Sequence, residues 1–157
     1  MNRSLIVICV LVATSWAGPA VQQREQKKGD ERIAEELAST NTACGTKLTA
    51  RMDWAAWGAL DDEHHGGVAA VGPCTGVLEG IASFCGKDDQ KKAVVAALKS
   101  VTCTLESKAV HESRLKNGVV HMGTGLRLDA GALRSEYNWE SHANVAVETY
   151  GWLEKQL

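Results

Sequence analysis

The chain has 157 residues, of which 17 are basic and 19 acidic, so it is close to neutral, and its cationic residues do not cluster along the sequence. That excludes the electrostatic footprint of a nucleic-acid binder and the polybasic stripe of a protein resting on anionic lipid. No apolar run approaches the roughly 20 residues that span a bilayer.

The first residues read MNRSLIVICVLVATSWAGPA. Arg3 precedes an apolar run from Leu5 to Ala13, and small residues follow at Ser15, Ala17, Gly18 and Ala20. This is the layout of a secretory signal peptide, cleaved after Ala20 or Ala17. Ile8 before Cys9 does not suit a lipid anchor on that cysteine. The expected organisation is a leader over 1–20, a polar tether over 21–29 and a single domain over 30–157. The mature protein is then exported, to a periplasm or to the extracellular medium.

A helical stripe follows from the Asp30 cap through Ile33, Leu37, Asn41 and Cys44 to a stop at Gly45. Lys47 to Trp54 alternates, with Leu48, Ala50, Met52 and Trp54 on one side, and reads as a half-buried strand. Gly58 to Gly72 has the composition of a loop. Pro73 suits the first turn of a helix whose apolar face is Cys74, Val77, Leu78, Ile81, Phe84 and Cys85. Gly86 ends it, and Asp88 or Asp89 caps a further helix with Val94, Ala97, Leu98 and Val101 on its face. The short link between the two predicts a helical hairpin.

Alternation returns at Val101, Cys103 and Leu105. Asn117-Gly118, flanked by alternating residues, predicts a type I′ hairpin. That register sends His111 and His121 to opposite faces and sets Arg114, His121 and Glu112 together as a cross-strand ladder. Asp129 to Asn138 reads equally as strand or turn. Asn138 or Ser141 can cap a last helix with Ala143, Ala146, Val147, Tyr150, Leu153 and Leu157 on its face. The fold class is α+β, a two-layer domain. The helical hairpin and the N- and C-terminal helices are expected to pack on an antiparallel meander sheet.

Cys9 leaves with the leader, and Cys44, Cys74, Cys85 and Cys103 remain. An even number in an exported chain indicates two disulfides, and the spacing is that of neither zinc knuckles nor a CxxC redox pair. Cys74 and Cys85 on one helix would lie about 16 Å apart, beyond the roughly 7 Å that a bridge spans. An antiparallel hairpin brings Cys103 back toward Cys74, which gives Cys74–Cys103 with Cys44–Cys85. The alternative is Cys44–Cys74 with Cys85–Cys103.

Candidate chemistry is sparse. Asp61, Asp62, Glu63, His64 and His65 could hold a divalent metal, although consecutive residues of a loop point in different directions. There is no HExxH helix, no GxSxG elbow around Ser83 and no phosphate loop in Met122 to Gly125. With one Phe and two Tyr in the chain, tryptophan supplies the large core side chains. Trp57 stands where the alternation fails and is the aromatic expected on a binding surface. The sequence therefore points away from catalysis and toward a binding or interaction domain, with a protein or small molecule as its partner and no required cofactor. Its alternative is a metal-binding protein or metal-dependent hydrolase centred on Asp61 to His65.

Overall fold

The computed structural model describes residues 19–54, 70–105, 125–137 and 145–157. In chain order these form α1 (Pro19–Cys44), β1 (Thr49–Asp53), α2 (Gly72–Phe84), α3 (Asp88–Ala97), β2 (Ser100–Leu105), β3 (Gly125–Asp129), β4 (Ala132–Tyr137) and α4 (Val145–Gln156). The chain is an α+β domain with two disulfides. Among the described residues no helix is long and apolar enough to cross a membrane.

Helix α1 begins at Pro19 rather than at the expected Asp30 cap, so the polar segment 21–29 is helical. Its charges explain this. Lys28 Nζ lies 2.7 Å from Glu25, Lys27 Nζ 3.8 Å from Glu31 and Arg32 3.2 Å from Glu35. Pairs at these spacings each support an exposed helix by a few tenths of a kcal/mol. From Ile33 onward the helix joins the core, where Thr40 and Cys44 are buried. The single Thr40 hydroxyl proton is shared between the carbonyls of Glu36 (2.9 Å) and Leu78 (3.1 Å). Gly45, at φ 68°, ends the helix in the left-handed region that glycine enters without strain. Asn41 then fixes the turn into β1. Its Nδ2 donates to the Leu48 carbonyl (3.1 Å), and its Oδ1 accepts from the Leu48 N–H (2.8 Å) and the Thr46 hydroxyl (2.7 Å).

Helix α2 lies between α1 and α4. That position matches its composition, since Pro73, Cys74, Val77, Leu78, Gly80, Ile81 and Phe84 are all buried. Gly80 allows the crossing with α4: a Cβ there would sit 2.5 Å from the Ala146 carbonyl oxygen and 2.7 Å from Thr149 Cβ. Along α4 the buried stripe is Val145, Thr149 and Leu153. The expected face included Val147 and Leu157, which are 72% and 39% exposed. The stripe is displaced because Thr149, polar by type, satisfies its hydroxyl on the Val145 carbonyl (2.7 Å) and packs as an apolar residue. Phe84 and Tyr150 meet edge to face across the two helices, centroids 5.6 Å apart.

The sheet is four-stranded and mixed, in the order β1-β2-β4-β3, and so differs from the expected antiparallel meander. β1 pairs parallel with β2, because the chain between them crosses back through α2 and α3 to start again at the same end. β3 and β4 form an antiparallel hairpin closed by Ala130 (φ 47°) and Gly131 (φ 89°), the pair of positive φ values that a type I′ turn requires. The Gly131 carbonyl accepts from the N–H groups of Lys99 (2.7 Å) and Ser100 (3.2 Å). This seats the turn at the head of β2. The strand that leaves the turn, β4, therefore runs parallel beside β2, with Ser100 opposite Ala132. The expected Asn117-Gly118 hairpin lies outside the described residues.

Met52, Val101, Cys103 and Leu133 face one core with the buried residues of all four helices. Two disulfides cross it. Cys44 at the end of α1 is bonded to Cys85 just past α2, and Cys74 in the first turn of α2 to Cys103 in β2, with Cα separations of 5.1 and 5.7 Å. These are the pairs that the hairpin geometry puts first.

Candidate functional site

Side chains alternate across a strand, so the residues between the core positions form the sheet's other face. The registers set Arg51 (β1) opposite Thr102 (β2), Thr102 opposite Arg134 (β4) and Arg134 opposite Arg127 (β3). One row thus crosses all four strands, carrying arginine on three of them. The flanking rows hold Thr49, Ser100, Ala132 and Asp129 on one side, and Asp53, Thr104, Glu136 and Gly125 on the other. All three arginines, Thr49, Asp53 and Asp129 are exposed, and Ser100, Thr102 and Thr104 are half-buried.

This face is concave over its first three strands. A groove of about 420 Å³ is lined by Arg51, Asp53, Thr102, Thr104 and Arg134, among others. Arg51 Nε donates a long hydrogen bond, 3.4 Å, to Thr102 Oγ1. Among the described residues neither Arg51 nor Arg134 forms an ion pair. Asp53 and Arg127 each have a contact of their own. Arg127 and Arg134 are directly opposed like charges, an arrangement that destabilises a sheet by a few tenths of a kcal/mol.

A smaller groove of about 310 Å³ runs between α1 and β1, lined by Ile33, Leu37, Met52 and Trp54 among others. The Trp54 ring is half-buried at its end, and its Nε1 donates to Asp30 Oδ1 at 2.9 Å. Trp152 packs against the core on α4. Both tryptophans therefore serve packing first, as expected of a chain with one phenylalanine.

The sequence-derived candidates Asp61, Asp62, Glu63, His64, His65 and Trp57 lie outside the described residues, as do His111, His121, Arg114 and Glu112. Among the described residues no three His, Cys, Asp or Glu side chains gather as a metal site would require. The arginine row escaped the sequence reading because its members come from positions 51, 127 and 134 and meet only through strand pairing. The available signal was the phase of β1, which puts Arg51 and Asp53 opposite to Met52.

Set against protein-family models, curated proteins and solved structures, the chain has no match. Fold and site together define a disulfide-stapled α+β domain with a grooved, arginine-bearing sheet face.

Proposed function

We propose that the protein is an exported, non-catalytic binding module that takes its ligand on the groove face of the sheet. The reading includes removal of residues 1–20, with cleavage after Ala20 or Ala17, and assigns the two disulfides to durability outside the cell. One observation carries it: the β1-β2-β4 face is concave and polar, and two of its arginines have no acidic partner among the described residues. An ordinary solvated sheet face interleaves opposite charges across strands. This one gathers three guanidinium groups in one row and keeps its acidic residues, Asp53, Glu136 and Asp129, in the rows beside it.

The test is native mass spectrometry of the protein exported by its own leader and purified without chelator, beside Thr102→Trp, which fills the groove. A stoichiometric adduct on the wild type that is lost from Thr102→Trp supports the reading. An adduct retained by Thr102→Trp, or bare chain in both, counts against it. A divalent-ion mass lost on His64→Ala with His65→Ala would replace it with the metal-binding or metal-dependent hydrolase reading of Asp61 to His65.

A further inference from the structure

We infer that the groove binds a tetrahedral oxyanion, the phosphate or sulfate group of a small molecule or saccharide, between Arg51 and Arg134 and over Thr102. The inference rests on the reading of the sheet face as a binding face and names the chemistry of its ligand.

The geometry starts from strand spacing. Neighbouring strands lie about 4.8 Å apart, so the Cα atoms of Arg51 and Arg134, two strands apart, are separated by roughly 10 Å. Thr102 occupies the strand between them, in register with both. Two long side chains rooted on either side of a short one can lean over it and bring their forks to one point. Each guanidinium presents paired N–H donors that match the oxygens of a phosphate or sulfate. Thr102 adds a third donor. Its oxygen accepts from Arg51 Nε, which leaves the hydroxyl proton to be donated upward. Donors converging from three sides suit a tetrahedral group better than a planar carboxylate.

Electrostatics point the same way. The whole chain carries a net charge of −2, so a cationic strip on it is a local feature and not a by-product of composition. Arg127, opposite Arg134, raises the positive potential at the edge of the groove. The groove walls concentrate that field on whatever enters. Asp53 and Glu136 belong to one flanking row and Asp129 to the other, so the acidic residues of this face border the arginine row and none stands in it. At about 420 Å³ the groove has room for the body of a small ligand as well as its anionic group.

The test is calorimetric titration of the mature, disulfide-intact protein at low ionic strength with four probes. These are inorganic phosphate, inorganic sulfate, glucose 6-phosphate and glucose 6-sulfate, with sodium chloride as the control. Saturable binding of at least one oxyanion is expected. Arg51→Gln and Arg134→Gln should each weaken it about tenfold or more, the loss of a charge-assisted hydrogen bond. The double variant should abolish it. Arg127→Gln, at the edge, should change it by less than about threefold. Thermal midpoints without ligand should stay together, which separates lost binding from lost folding. Tighter binding of one ester than of the free ions identifies that ester as the source, and equal binding identifies the free ion. No saturable heat with any oxyanion, or binding that survives in the double variant, overturns the inference. If that happens while Thr102→Trp still strips the native adduct, the anion fails alone. If Thr102→Trp leaves the adduct in place, the binding face fails with it.

Discussion

Met52, Val101, Cys103 and Leu133 look into the core from the same strands whose alternate residues, Arg51, Thr102 and Arg134, look outward. On the inner side Met52, Val101, Cys103 and Leu133 are buried in the core, and the Cys74–Cys103 bridge welds β2 to α2. On the outer side little packs, and an opposed Arg127–Arg134 pair persists that a face selected for stability alone would not favour. The contrast teaches that one ribbon can commit alternate residues to the core and to an open polar face, residue by residue.

Substitutions should expose that division. Removing the inner bridge as Cys74→Ala with Cys103→Ala should lower unfolding stability by about 3–4 kcal/mol, the chain-entropy value for its loop, read from urea denaturation under non-reducing conditions. Leu133→Ala, on a fully buried position, should lose about 3 kcal/mol in the same assay. Ser135 sharpens the comparison. It lies on the inner side, 1% exposed, and among the described residues its hydroxyl has no hydrogen-bond partner. Ser135→Ala removes that unmet group and should raise unfolding stability by up to about 1 kcal/mol. Smallest of all, Arg134→Gln should shift stability by no more than about 0.5 kcal/mol, toward the more stable side because it relieves Arg127. A loss of several kcal/mol there would erase the distinction between the two sides.

Much of the inner side was legible in the sequence. The helical period from Cys74 to Cys85 and the alternation around Met52 require only local rules, and the cysteine pairs follow from helix length and chain reversal. β4 is ambiguous in sequence because Ser135 and Arg134 blur its apolar alternation, although Leu133 is wholly buried. The Asp-Ala-Gly turn is only half legible, because alanine at positive φ carries no compositional signal, whereas Asn-Gly does. Strand order was out of reach for a different reason. β4 reaches β2 through a turn seated on the Lys99–Ser100 backbone, a contact between distant segments that no local pattern encodes. The arginine row inherits the same blindness, since it exists only once the order is known.

The two disulfides also have a consequence for the integrity of the chain. The loop closed by Cys44–Cys85 and the loop closed by Cys74–Cys103 overlap along α2. A single peptide-bond cut anywhere between Cys44 and Cys103 therefore leaves both pieces joined through at least one intact bridge. In surroundings rich in proteases, a clipped molecule would keep its mass, apart from one added water, until a reductant separated the halves.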